Sequence, residues 1–117
     1  MVMIGSSCLF LNHLVIDMAK QSITQYQFFK KLCSLPFIDA ILLYGSRARG
    51  NYKERSDIDL ALICPSATQD DWLQVLDIIE DADTLLKIDC VRFDELSATE
   101  PLTQNILEEK IVLFERK

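Results

Sequence analysis

The sequence predicts a single α/β domain, of the α+β kind, in which a mixed sheet of about four strands packs against helices. Apolar runs of strand length alternate along the chain with segments whose apolar residues recur at helical spacing, and no repeat or low-complexity tract interrupts that order. In addition, 50% of the 117 residues are apolar, which is enough to build one buried core.

The predicted elements follow the order helix, strand, helical turn, strand, helix, strand, helix, strand. Pro36 ends the first helix and Pro65 closes the second strand, because proline cannot continue either element. The third strand shows the alternation of apolar and polar residues that marks a strand. The predicted segments are helix Ser22–Leu32, strand Phe37–Tyr44, turn and loop Arg47–Ser56, strand Asp57–Cys64, helix Asp70–Asp83, strand Leu85–Phe93, helix Thr99–Glu109 and strand Ile111–Arg116.

Residues 1–21 are predicted to be an N-terminal extension, with the domain at residues 22–117. The extension is apolar but lacks the positively charged N-terminal region and the small-residue cleavage site of a signal peptide. Translation from Met18 is the alternative, in which case residues 1–17 are not native. No run reaches the roughly 18 apolar residues of a membrane-spanning helix, so a cytoplasmic protein without membrane contact is expected.

Charge and cysteine content exclude several classes of protein. A net charge of −6 argues against stable binding of nucleic acid, which needs a surplus of Lys and Arg to neutralise phosphates. The four cysteines occur singly, unlike those of a zinc site or a disulfide framework, so reduced thiols are expected.

Acidic residues at two places suggest a metal site. Asp57 and Asp59 are two apart on a predicted strand, so their carboxylates project from one face and repel each other unless a cation lies between them. Oxygen ligands on a rigid strand suit Mg²⁺. Asp89 is the candidate third ligand because it is isolated in an apolar strand, although Asp83 and Asp94 are alternatives that the pattern alone leaves open.

Groups suited to phosphate precede these aspartates. Gly45 ends the preceding strand and lets the backbone approach a ligand, while the Ser46 hydroxyl and backbone N–H groups can bind phosphate oxygens. Arg47 and Arg49 add cations beside them. Anionic ligands for a metal therefore adjoin cationic contacts for phosphate, which predicts a site for a Mg²⁺–triphosphate complex.

The pair Gly45-Ser46, the ten residues that separate it from Asp57-x-Asp59, and the intervening Gly50 resemble the signature of the DNA polymerase beta nucleotidyltransferase superfamily. The short length resembles the minimal nucleotidyltransferases, or MNT proteins, which are paired with HEPN-domain proteins. This similarity in layout runs from about Ile23 to the C-terminus.

The resemblance implies Mg²⁺-dependent nucleotidyl transfer from ATP. Asp57 and Asp59 would bind two Mg²⁺ ions, Asp89 would ligate the catalytic ion and help to activate an acceptor hydroxyl, and Gly45 and Ser46 would hold the triphosphate. In the paired systems the HEPN partner is a ribonuclease toxin. The MNT protein resembles an antitoxin that forms a hetero-oligomer with it and, in some cases, transfers AMP to one of its tyrosines.

Two other functions remain open at this point. The protein could be a non-catalytic antitoxin that acts by binding its HEPN partner, in which case Asp57→Asn would leave neutralisation intact. It could also be a small-molecule transferase of the aminoglycoside type, although such enzymes carry an additional helical domain.

Overall fold

The computed structural model describes residues 16–51, 53 and 55–116, which form a four-stranded sheet with helices on both faces. In chain order the elements are α1, described over residues 16–24, α2 (Gln27–Cys33), β1 (Ala40–Tyr44), α3 (Ser46–Arg49), β2 (Ile58–Ile63), α4 (Gln69–Glu80), β3 (Ile88–Arg92), a 3-10 turn (Phe93–Glu95), α5 (Pro101–Glu109) and β4 (Ile111–Glu115).

The sheet has the strand order β3-β2-β1-β4. Strand β1 runs antiparallel to both β2 and β4, whereas β2 and β3 are parallel and are joined by α4. A crossover of this kind is required because parallel strands cannot be joined by a tight turn. The prediction of one α+β domain with a mixed sheet of about four strands is confirmed.

Alternate residues of the strands build two apolar layers. Leu43 and Leu60 face a layer that is covered by α1, α2 and α4, while Leu42 and Ala61 face a smaller one in which Ile106 of α5 is the fully buried anchor. Burying one such leucine stabilises the fold by about 1.5–3 kcal/mol. Helix α5 is therefore the element that packs on the second face of the sheet, where Asp59 and Asp89 also lie.

The single helix predicted at Ser22–Leu32 is wrong, because the chain breaks between α1 and α2. Tyr26 is extended, with φ −73° and ψ 147°, and starts a new helix. The carboxylate of Asp83 accepts the first two N–H groups of that helix, from Gln27 at 2.9 Å and from Phe28 at 3.0 Å. A cap supplied by a residue so distant in sequence has no signature in the local spacing.

The predicted domain boundary at residue 22 falls inside α1. Ala19 and Ile23 of this helix are 1% and 0% exposed and belong to the larger apolar layer, so residues on both sides of the boundary contribute to the core. Residues 1–15 lie outside the described part of the chain, and translation from Met18 stays a prediction.

Two further expectations concern the described residues. Cys33, Cys64 and Cys90 are unpaired thiols, as expected, while Cys8 lies outside the described residues. Over residues 16–51, 53 and 55–116, none of the helices combines the length and the apolar character that crossing a membrane requires.

Candidate active site

Asp59 and Asp89 lie directly opposite each other on the parallel strands β2 and β3. On the other side of β2, Asp59 is paired with Tyr44, the last residue of β1. Paired residues of neighbouring strands point to the same face, so these three side chains form a row across the sheet. The fold thus brings together two of the three aspartates that the sequence singled out.

The charges in this row disfavour one another. Burial raises the pKa of Asp59 above its ordinary value of 3.8, and the carboxylates of Asp89 and Asp57 raise it further, while Arg49 opposes the shift. Burial, followed by the charges of Asp59 and Asp89, also raises the pKa of Tyr44 to about 12. A cation at this place would relieve the repulsion, which is what a metal-binding carboxylate cluster requires.

Asp57 is placed differently from the prediction, because β2 begins one residue later, at Ile58. Its side chain is exposed ahead of the strand, and strand pairing does not fix its direction. Within the described residues, no three carboxylate, imidazole or thiolate groups already surround one point as metal ligands would. Carboxylate oxygens suit Mg²⁺ in chemistry, and Asp59 and Asp89, which face each other across the two strands, would be two of its ligands.

Two features require glycine at position 45, at the end of β1: the backbone conformation and the lack of space for a side chain. Its φ of 76° and ψ of −157° fall in a region that essentially only glycine occupies. A Cβ on Gly45 would overlap the Oδ2 oxygen of Asp59 and come within 3.1 Å of its Cγ. The backbone of the turn at Gly45 is therefore in direct contact with Asp59, which together with Asp89 forms the acidic row. Ser46 begins the short helix α3 from this point.

The two arginines predicted to bind nucleotide have different surroundings. Arg47 is only 4% exposed, and its Nε and Nη2 donate to the carbonyl of Ser56 at 3.2 and 3.0 Å, which holds the loop that leads to Asp57. Arg49 is half exposed and its Nη1 lies 2.9 Å from Oε1 of Glu109. Arg49 is thus the more accessible cation, and a direct nucleotide contact by either arginine stays a prediction.

The other candidates for the third carboxylate have structural partners elsewhere. Asp83 caps α2, as described above. Asp94 accepts the backbone N–H of Cys64 at 2.6 Å, at the far end of β2. Asp89 is the one of the three that is paired with Asp59, and this placement supports its assignment.

Two residues of the site had not been predicted. Glu109, the last residue of α5, accepts the backbone N–H of Gly45 at 2.8 Å, although 64 positions separate them. No spacing rule links residues so far apart. Tyr44 immediately precedes Gly45 and could have been found once an antiparallel pairing of its strand with the Asp-x-Asp strand was assumed.

A cavity opens where the chain enters β2 and β3. Its volume is about 430 Å³, and Arg55, Leu85, Leu86 and Lys87 line it. Arg55 and Lys87 each lie two residues before a predicted catalytic aspartate, Asp57 and Asp89 respectively. The Nζ atom of Lys87 lies 3.9 Å from Oδ1 of Asp89, so one wall of this cavity, which combines cationic with apolar groups, is next to the acidic row.

Solved structures of similar fold come from toxin–antitoxin complexes. A toxin–antitoxin crystal structure with AMP-PNP is 23% identical, with a TM-score of 0.55, and the match covers 84% of this chain and 74% of that one. A mutant of the MntA-HpeT toxin–antitoxin is 17% identical, with a TM-score of 0.57 and the same coverage. At these identities the likeness shows the fold alone. No curated protein matches the chain by sequence.

The family profile described as "Polymerase beta, Nucleotidyltransferase" matches residues 27–117, from the start of α2 to the C-terminus. This range contains the glycine turn, the acidic row and the whole sheet. The chain belongs to the polymerase beta nucleotidyltransferase family.

Proposed function

We propose that this protein is a Mg²⁺-dependent nucleotidyltransferase that acts as an antitoxin, transferring AMP from ATP to a tyrosine of a HEPN ribonuclease toxin. The observation that carries the proposal is the pairing of Asp59 with Asp89, with the Gly45 turn packed directly against Asp59. This arrangement joins a carboxylate cluster to backbone and cationic donors at one end of the sheet.

The metal requirement follows from the charges of the cluster. Burial, followed by the charges of Asp89 and Asp57, raises the pKa of Asp59. Mg²⁺ held by these three carboxylates would neutralise them and draw negative charge from the triphosphate. The prediction of two ions rests on the family resemblance.

The residues around the cluster have distinct roles in the proposed reaction. The N–H of Gly45, the hydroxyl of Ser46 and the guanidinium of Arg49 would bind the phosphates, because all are donors beside Asp59. Arg47 would position Asp57 through the carbonyl of Ser56. Asp89 would help to remove the proton of the acceptor hydroxyl, and the acceptor oxygen would attack the α-phosphorus. The bond from that phosphorus to the oxygen of the β-phosphate would break, and pyrophosphate would leave on the side opposite to attack.

A protein acceptor agrees better with the site than an aminoglycoside does. The cavity beside the aspartates carries Arg55 and Lys87, which would repel a polycationic small molecule. The fold is also similar to that of toxin–antitoxin structures, including the one with AMP-PNP. The first observation counts against a polycationic acceptor, and the second supports a nucleotide substrate and a toxin partner.

Neutralisation of the toxin tests the proposal against the non-catalytic alternative. The reading frames adjacent to the gene would be searched for a helical protein of the HEPN type. That protein would be expressed with this chain or with its Asp57→Asn variant, and growth and complex formation would be measured. Rescue by the wild type alone, with both proteins forming the complex, is the expected result. Equal rescue by the variant would show that binding is sufficient and would overturn the catalytic account.

A further inference from the structure

The carboxylate of Glu109 accepts hydrogen bonds from two of the donors that are proposed to bind phosphate. Its Oε2 accepts the backbone N–H of Gly45 at 2.8 Å, and its Oε1 accepts from Nη1 of Arg49 at 2.9 Å. The Glu109 side chain is 20% exposed, so the contact lies partly inside the site. One carboxylate thus joins the turn after β1 to the arginine at the end of α3.

A carboxylate in this position resembles a phosphate group in its contacts. Both groups present oxygens that accept from a backbone N–H and from a guanidinium, and both interact more strongly with these donors than a neutral acceptor does. A phosphate of the substrate and Glu109 cannot accept the same N–H of Gly45 together in good geometry. The two acceptors must therefore compete for one place.

The charge of Glu109 adds to this competition. Its carboxylate is among the groups that raise the pKa of both Asp59 and Tyr44, so its field reaches the acidic row. A triphosphate that enters the site meets this additional negative charge as long as Glu109 remains in contact with Gly45. Displacing the side chain removes both the competing acceptor and the nearby repulsion.

The fold allows Glu109 to leave without a movement of α5. The helix is anchored one turn earlier by the fully buried Ile106, and the hydroxyl of Thr103 donates to the carbonyl of Ser97 at 2.6 Å. Glu109 is the last residue of the helix, and its side chain makes the hydrogen bond to the turn after β1. Rotation of that side chain toward solvent is sufficient to release Gly45 and Arg49.

We infer that Glu109 competes with the triphosphate of the substrate for the Gly45 N–H and for Arg49, and thereby sets the affinity of the site for ATP. This inference rests on the proposed nucleotidyltransferase function and adds a residue that controls it. Removal of the Glu109 charge is expected to strengthen nucleotide binding, which is the opposite of the effect expected for a residue that supports the site.

The test is equilibrium binding of Mg²⁺–ATP, and of inorganic tripolyphosphate without metal, to the wild type and three variants. Glu109→Gln removes the charge, Glu109→Asp keeps it but shortens its reach, and Glu108→Gln removes the exposed neighbouring charge as a matched control. For Glu109→Gln the dissociation constant of both ligands should fall about three- to tenfold, the size expected for loss of one partly exposed ion pair. For Glu109→Asp the dissociation constant should fall less, and Glu108→Gln should bind both ligands with the affinity of the wild type.

Unchanged or weaker binding by Glu109→Gln would overturn the inference, because Glu109 would then support the donors or have no part in the site. Transfer of labelled AMP to the partner, measured on the same proteins, separates this result from the proposed function. Tighter binding without transfer would leave the inference standing and contradict the proposed activity. Normal transfer without tighter binding would support the proposed activity and contradict the inference.

Discussion

The carboxylate of Asp59 fills the space that a side chain on Gly45 would need. This contact couples the turn that is proposed to hold phosphates to the row that is proposed to hold Mg²⁺. A change at the turn should therefore disturb both functions, and several consequences of the arrangement can be measured.

Gly45→Ala should abolish nucleotide binding and lower stability. The backbone conformation at residue 45 costs a residue with a Cβ about 1–3 kcal/mol, and the added methyl must displace the Asp59 carboxylate. Binding of Mg²⁺–ATP and urea unfolding would be measured together. Gly50→Ala is the control, because Gly50 also has a positive φ, of 83°, but at the other end of α3. Wild-type ATP affinity in Gly45→Ala would contradict the coupling.

Asp59→Asn should stabilise the protein at neutral pH when no metal ion is present. The raised pKa of Asp59 means that the folded state binds this proton more tightly than the unfolded state does. The contribution of Asp59 to the free energy of unfolding is therefore largest below pH 3.8 and falls as pH rises through the raised folded value. Asparagine carries no charge, so the variant should not lose this stability.

The measurement is the melting temperature in a chelating buffer from acid to neutral pH. Asp77→Asn, an exposed position of α4, serves as the control for a general loss of negative charge. The gap between Asp59→Asn and the wild type should widen with pH. A lower melting temperature for Asp59→Asn at neutral pH would show that the carboxylate stabilises the fold, contrary to this account.

Asp83→Asn and Asp89→Asn should separate stability from AMP transfer, because each variant should lose the property that the other retains. Hydrogen bonds from the N–H groups of Gln27 and Phe28 lower the pKa of Asp83. The stabilising effect of Asp83 is therefore present above pH 3.8 and is lost as pH falls through its lower folded pKa. Asp83→Asn should lower the melting temperature at neutral pH and retain transfer. Asp89→Asn should retain the fold and lose transfer. Loss of transfer in well-folded Asp83→Asn would reopen the choice of the third carboxylate.

Ile23→Ala should show that α1 is part of the folded domain. Ile23 is 0% exposed, and truncating a buried isoleucine to alanine costs about 2–5 kcal/mol. Ile16→Ala in the same helix is the matched control, because Ile16 is 37% exposed and its loss should change stability by less than about 0.5 kcal/mol. Urea unfolding compares the two. Equal, small effects would mean that α1 does not contribute to the core.

The order of the strands and of the helices between them was predictable because these elements have local signals, although the break between α1 and α2 was not. Apolar runs between turn residues predicted β1 and β2, and the Asp-x-Asp spacing identified Asp59 before any pairing was known. The predicted strand at Leu85–Phe93 was longer than β3, but its alternation correctly placed Asp89 on the face opposite to Ile88 and Cys90. Local patterns of this kind persist in the fold because they decide which side chains reach the core.

Contacts between distant parts of the chain could not be predicted from these patterns. The break before α2 depends on a carboxylate from residue 83, and the contact to Gly45 comes from the end of α5. Arg47 and Arg49 looked equivalent as neighbouring cations, yet the first is buried against the carbonyl of Ser56. In each case the partner of a buried or capping polar group is one that no local spacing rule indicates.

The most direct test of the proposed activity is to follow the label of ATP marked either on the α-phosphate or on the γ-phosphate. This protein, Mg²⁺ and the candidate HEPN partner would be incubated with each form of ATP, alongside Asp89→Asn and a chelator control. If the protein transfers AMP, the α label, but not the γ label, appears on a tyrosine of the partner, and both controls abolish it. Label from the γ-phosphate, or equal α labelling by Asp89→Asn, would contradict nucleotidyl transfer by this acidic row.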